Sequence, residues 1–235
     1  MEFEDKDLTQ FQTQGVSLNV IEQQIAYFEK GFPFMGITKP ATIGDGIIRL
    51  SEDQATQYAK DFEEKATKRA ILKFVPASGA ASRMFKALFA FMDEYENTEE
   101  GRKAFEQHTA IKQFIDELSN FAFYPELQAA IEKDGKNISE LLNAGEYGEI
   151  VSYVLTDKGL GYGSLPKGLL TFHQYKSGGR TPLEEHLVEA AHYSKGEGDI
   201  AKLHFTVSPE HEERFRQELA SCKSVLEKEF QLTYD

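Results

Sequence analysis

The sequence predicts an α/β fold with a mostly parallel sheet and helices on both of its faces. Short apolar runs bounded by Pro, Gly or Ser recur as strands, at Arg69–Val75, Leu169–Tyr175 and Leu203–Val207. A helical pattern follows each of them, and residues 97–145 between the first two read as helix throughout. Repeated strand–helix units build parallel sheets, because each crossover helix returns the chain to the same edge.

Taken in order, Val16, Val20, Ile21, Ile25 and Phe28 recur at helical spacing until Gly31 and Pro33 stop the pattern. Pro33, Gly36, Pro40, Gly44 and Gly46 then make 32–48 a loop. Ser51 with Glu52 and Asp53 is an N-cap followed by acidic first-turn residues, opening a helix to Lys68. Residues 1–68 are therefore expected to form a helical segment packed on an α/β domain that fills 69–235. That domain opens with the strand Arg69–Val75, which Pro76 ends. Ala77–Ser82 are all small, and from Arg83 onward Met84, Leu88, Phe91 and Met92 give a helical stripe. Within 97–145, Phe105, Ile111, Phe114, Ile115 and Leu118 form one face, which Leu127, Ile131, Ile138 and Leu141 resume after Pro125. This is long for a crossover, so an inserted helical subdomain or lid is expected. Gly159, Gly161 and Gly163 read as a flexible loop before the strand Leu169–Tyr175. Ser177–Gly179 is a turn, and Thr181-Pro-Leu-Glu184 is a capping box with Pro at the first helical position, starting a helix to Lys195. After Leu203–Val207, Ser208-Pro209 caps a helix carrying Phe215, Leu219, Cys222 and Leu226, and Phe230–Tyr234 starts a further strand.

Composition excludes several classes of function. With 40% hydrophobic and 12% aromatic residues, the 235-residue chain can build a globular core, so a disordered protein is excluded. A net charge of −13 disfavours a nucleic-acid groove, which needs a basic stripe, and equally a basic membrane-surface helix. No apolar run approaches the roughly 20 residues that cross a bilayer. The acidic start Met1–Asp7 is unlike the basic opening of a secretory signal, and Cys222 has no partner cysteine. The expectation is a cytoplasmic protein with no nucleic-acid and no membrane partner.

The loop Ala77–Ser82 carries the chemistry. Between a strand and a helix it falls at the carboxyl edge of the sheet, where open α/β folds place ligands. Small residues let the backbone approach a ligand, while the following helix offers free N–H groups and the positive end of its dipole. Arg83 and Lys86, three apart, occupy neighbouring positions on the first helical turn. Together these make a phosphate site; the alternative is an ordinary turn with two solvated charges. A Walker A loop is excluded because no Gly-Lys-Ser/Thr follows, and Gly79 lacks the partners of a dinucleotide fingerprint. The histidines show no zinc-ligand spacing, and His186 and His192, six apart, share no helical face. His204 in its strand either lines the cleft or packs on a helix, while His173 ends the strand after Lys167; each histidine reads first as structural or surface. Cys222 lies on an apolar stripe and reads as core, and Asp45, between two glycines, reads as an Asx turn or a functional carboxylate.

Ser78-Gly-Ala-Ala-Ser-Arg-Met84 with Lys86 resembles the signature loop of the sugar and small-molecule nucleotidyltransferases, which runs Gly-x-x-Ser/Thr-Arg-Met and then Lys. Pro166-Lys167 stands where those enzymes carry a Pro-Lys pair before a strand, and Arg180–His186 resembles their next helix start. Over nearly its full length the chain also resembles the bacterial family known as domain of unknown function 4301, through Pro40–Asp45, Phe74–Lys86, Leu165–His173, Arg180–His186 and His204–His211. The resemblance implies a Rossmann-like three-layer sandwich of the nucleotide-diphospho-sugar transferase type. It implies transfer of a nucleotidyl group from a nucleoside triphosphate to a phosphorylated small molecule such as a sugar phosphate. Arg83 and Lys86 would then neutralise the leaving pyrophosphate and Lys167 the α-phosphate. Ala77, Ser78, Gly79, Ala80, Ala81, Ser82 and His173 would bind substrate, and Mg²⁺ would bridge the phosphates. Such transferases place a metal-binding aspartate after a later strand, whereas here Asp235 comes just as another strand begins. The sheet is therefore expected to be incomplete at the C-terminus, and the sequence to be the N-terminal part of a longer protein or a family member that has lost its second half. A non-catalytic nucleotide- or phosphosugar-binding module, and a scaffold that docks through 97–145, are the alternative readings.

Overall fold

Two stretches of chain, Met1–Ala55 and Thr56–Asp235, form separate units in the computed structural model, which describes residues 3–235. In the first, α1 (Asp5–Thr13) is opened by a reciprocal capping box between Glu4 and Asp7. The second helix, α2 (Leu18–Lys30), stops at Gly31, whose φ of 77° few other residues adopt. Two-residue strands β1 (Thr42–Ile43) and β2 (Gly46–Ile47) pair across a tight turn. Asp45 in that turn is ion-paired with Lys39 of its own loop. No described residue of this unit is buried.

The helix α3 (Glu52–Ala66) leads into β3 (Leu72–Pro76), and six helices follow: α4 (Lys86–Glu94), α5 (Glu99–Gln107), α6 (Thr109–Asp116), α7 (Tyr124–Lys133), α8 (Ile138–Ala144) and α9 (Tyr147–Leu155). Side-chain caps from Thr98 and Asn137 begin α5 and α8, satisfying amide groups that the first turn leaves unpaired. The helical face read between Phe105 and Leu141 is buried at Phe105, Ile111, Ile115, Leu118, Leu127, Ile131, Ile138 and Leu141. With Phe91, Ile150, Val151, Tyr153 and Val154 these residues form one core.

Next come a hairpin of β4 (His173–Tyr175) and β5 (Gly178–Arg180), then α10 (Pro182–Tyr193), β6 (Ile200–Thr206), α11 (Glu212–Phe230) and β7 (Thr233–Tyr234). The order β3-β6-β7 makes a three-stranded parallel sheet. Its alternation divides the strands cleanly. Leu203 and Phe205 of β6 meet α10 and α11 in a second core with Leu183, Leu187, Phe215 and Leu226; on the same face of β3, Val75 is buried opposite Phe205 and Lys73 bonds to α10. On the opposite face Leu72 and Phe74 are each 60% exposed, and the Phe74 ring stacks on His204 at 5.1 Å. The fold is thus mixed α/β with a parallel sheet. Instead of helices on both faces, α10 and α11 cover one and leave these rings open to solvent. No helix among the described residues is long and apolar enough to cross a membrane.

Two local expectations change. Leu169–Tyr175 is not a strand of the sheet: Lys167–Leu169 is a single 3-10 turn, and His173–Tyr175 pairs only with β5. Leu170 is fully buried in the helical core, and Thr171 spends its N–H on the Tyr162 hydroxyl at 3.1 Å, so no ladder can form there. The 159–163 loop is likewise packed rather than flexible. A Cβ on Gly163 would lie 2.4 Å from Phe89 and 2.8 Å from the Leu155 carbonyl, while its N–H donates to that carbonyl at 2.9 Å. Only glycine lets the chain pass so close.

Candidate functional site

The ladder between β3 and β6 extends one bond past the strand, from Ala77 N–H to the Thr206 carbonyl at 2.9 Å. There the small-residue loop leaves the sheet. Its far end is anchored by Ala81 and Phe85, both buried in the helical core. A second segment grips it from the side: Lys167 N–H donates to the Gly79 carbonyl at 3.1 Å, and Ala80 faces Pro166 in an antiparallel bridge. That segment is itself held by buried Leu165 and Leu170, while Leu169 packs on both cores. Burying an aliphatic side chain of this size is worth about 1.5–3 kcal/mol, so the position of Lys167 is set by packing on either side of it. Gly168 lets the turn press on the ring of Phe215, 3.0 Å from where a Cβ would stand.

These elements enclose a cavity of about 150 Å³ at the carboxyl ends of β3 and β6, with Ala77, Gly79, Lys167, His186, Phe205 and Phe215 among its walls. A larger compartment of about 470 Å³ shares Leu183, Phe205 and Phe215 with it. Val207 and Leu219 extend that apolar wall, and a Glu212–Arg216 ion pair at 2.6 Å stands at its edge.

Of the residues singled out from sequence, Ala77, Gly79 and Lys167 line the smaller cavity. Ser78 and Ala80 are exposed in the same loop, Ala81 is turned fully into the core, and Ser82 is exposed just beyond. Arg83 does not begin a helix. Residues 82–85 form a turn, closed by Met84 N–H on the Ala81 carbonyl at 2.8 Å, and α4 starts at Lys86. Burial of both Ala81 and Phe85 imposes that turn. Arg83 and Lys86 are exposed and stand outside the walls of the cavity, as does His173, exposed in β4 opposite Arg180.

His186, which the sequence reads as structural or surface, is a wall residue of the cavity. It belongs to a polar cluster on the covered face of the sheet, where Lys73 Nζ donates to the His186 carbonyl at 3.2 Å, to the Tyr193 hydroxyl at 2.9 Å and to Glu189. The lysine beside it holds the Glu189 carboxyl at about 2, well below its ordinary range. Nothing in the spacing of these residues announces the cluster, because Lys73 lies on a strand far from α10 in the chain.

Two further groups are shifted by burial away from the cavity. Desolvation of its carboxyl pushes Glu126 up, against the Thr171 hydroxyl that donates to it at 2.9 Å, and the Cys222 thiol is pushed up to about 11. Among the described residues no carboxylate lines the smaller cavity, and no group of three or more His, Cys, Asp or Glu could hold a metal. The donors present do not fit Mg²⁺, which takes carboxylate oxygens.

A model of the family described as Domain of unknown function (DUF4301) matches residues 4–235. No curated protein and no solved structure matches the chain.

Proposed function

The chain belongs to the family Domain of unknown function (DUF4301), and we propose that it binds a nucleotide or another phosphorylated small molecule with a phosphate seated between Gly79 and Lys167. The observation that supports this reading is the pairing of the Ala77–Ala81 loop with Pro166-Lys167 around one cavity at the carboxyl ends of two parallel strands. Nothing stands within 4 Å of where a Gly79 Cβ would be, so a phosphate oxygen can come against the backbone there. Sites for drug-sized ligands run to roughly 300–1,000 Å³. A cavity of about 150 Å³ therefore suits a phosphate on a small body, and the apolar compartment of about 470 Å³ beside it suits a base or a similar apolar group.

The finer reading is nucleotidyl transfer on a Rossmann-like fold in a cytoplasmic protein, and the order of the sequence motifs supports it. An oxygen of the acceptor phosphate attacks the α-phosphate, a new P–O bond forms, and the bond to pyrophosphate breaks. Positioning and charge neutralisation supply the catalysis in such a transfer. Lys167 serves the α-phosphate within the cavity, and Arg83 and Lys86 serve the leaving pyrophosphate from the exposed start of α4. The second reading is a module that binds the ligand and transfers nothing; the smaller cavity has no carboxylate on its wall among the described residues, and Glu212 at the edge of the larger compartment is ion-paired with Arg216.

Calorimetry with a panel of nucleoside triphosphates and sugar phosphates tests binding, and a pyrophosphate-release assay separates the two readings. Binding that is lost in Lys167→Ala, with the circular dichroism unchanged, supports the site. An affinity that Lys167→Ala leaves intact sinks it.

A further inference from the structure

Besides Lys167, His186 is the ionisable side chain on the wall of the smaller cavity, and its surroundings fix it at both ends. Its carbonyl accepts from Lys73 Nζ at 3.2 Å, and its ring Nδ1 lies 3.1 Å from Glu189 Oε2. That same oxygen accepts from Lys73 Nζ and, at 2.9 Å, from the Tyr193 hydroxyl. The lysine is nearly enclosed, with 11% of its side chain exposed and the Tyr193 ring 4.8 Å from its Nζ. The apolar ring of Phe205 also stands near the imidazole, 6.2 Å between centroids.

Glu189 is ionised, so it can only accept, and the hydrogen between it and the ring belongs to Nδ1. In the neutral imidazole this leaves Nε2 as an acceptor, and no described residue donates to it. We propose that Nε2 of His186 accepts a hydrogen bond from a hydroxyl of the ligand whose phosphate rests on Lys167. The occupant of the smaller cavity is thereby a hydroxylated phosphate monoester, a sugar or polyol phosphate. Glu189, with Lys73 and Tyr193 behind it, is a positioning residue that acts through the tautomer of His186. The inference rests on the phosphate reading of the cavity and adds to it the group beside the phosphate.

Three probes separate the two: inorganic pyrophosphate, glycerol phosphate and propyl phosphate, the last matching glycerol phosphate without its hydroxyls. Glycerol phosphate is expected to bind about five- to tenfold more tightly than propyl phosphate, as one net hydrogen bond allows. His186→Phe, with the circular dichroism unchanged, should bring that ratio close to one. Nitrogen-15 spectra of the ligand-free protein should show His186 protonated on Nδ1, and Glu189→Gln should shift that tautomer balance. Equal affinity for the two organic phosphates while pyrophosphate binds overturns the inference alone. An Nε2-protonated tautomer in the free protein also overturns it, without need of any ligand. Binding of none of the three overturns the phosphate reading and this inference with it.

Discussion

Glu189→Gln removes one charge and keeps the shape of the side chain, so its cost measures what the carboxylate does for the fold. The Glu189 carboxyl sits at about 2 in the folded protein against an ordinary 4.5, chiefly because Lys73 bonds it. At about 1.4 kcal/mol per unit this sets an upper bound of about 3 kcal/mol. Glu189 is 45% exposed, however, and solvent screens a carboxylate so placed. Lys73 pulls the other way: at 11% exposure it would lose the counter-charge that offsets its burial. A cost of about 1–2 kcal/mol at pH 7 follows, or a melting temperature lower by about 3–6 °C for a chain of this size. The folded state has the lower carboxyl pKa, so its contribution is complete above 4.5 and is lost as the pH falls from there through 2. Thermal melts of the two proteins at pH 7, 5, 4 and 3 should therefore show a gap that holds to pH 5 and closes below it. A gap as wide at pH 3 as at pH 7, or none at pH 7, would refute the role of the Lys73–Glu189 pair.

Lys167→Ala should weaken binding of a phosphorylated ligand by tenfold or more, since charge-assisted hydrogen bonds are worth about 1.5–3 kcal/mol. Arg83→Ala, at an exposed position outside the cavity wall, should cost less in the same titration; a larger loss would place Arg83 at the phosphate instead. Gly163→Ala should destabilise the chain by about 1–3 kcal/mol, because the new methyl meets Phe89 at 2.4 Å and the Leu155 carbonyl at 2.8 Å. An unchanged urea midpoint would show that this loop yields freely. Cys222, buried and with its thiol pushed up to about 11, should resist iodoacetamide at pH 8 until urea unfolds the protein, and rapid native-state labelling would contradict that burial.

The helical stripes were legible because their signal is local. Ile111, Ile115, Leu127 and Ile131 repeat at 3.6-residue spacing, and an apolar face with that period has to be buried somewhere. The strands at 72–76 and 200–206 were equally readable from short apolar runs with clear stops. Leu170 misled the reading for the same reason: its apolar neighbours look like a strand, yet burial among helices and the Tyr162 hydroxyl remove its segment from any ladder. At the site, the motif spacing singled out Gly79 and Lys167, and the fold joins them through a backbone hydrogen bond. Arg83 and Lys86 share a first helical turn only if the helix begins at Arg83. The intervening turn depends on where Ala81 and Phe85 are buried, which no local pattern states.

By itself, then, the sequence determined the helical stripes, the two long strands of the sheet and the loop with its lysine, all properties set by a few neighbouring residues. The division of the sheet into one covered and one open face was decided by tertiary structure, since it depends on which helices reach it. The joining of Lys73 to Glu189 and His186 was decided there too. Residues so far apart in the chain meet only because β3 and β6 pair and α10 packs across them, and that energy is collective.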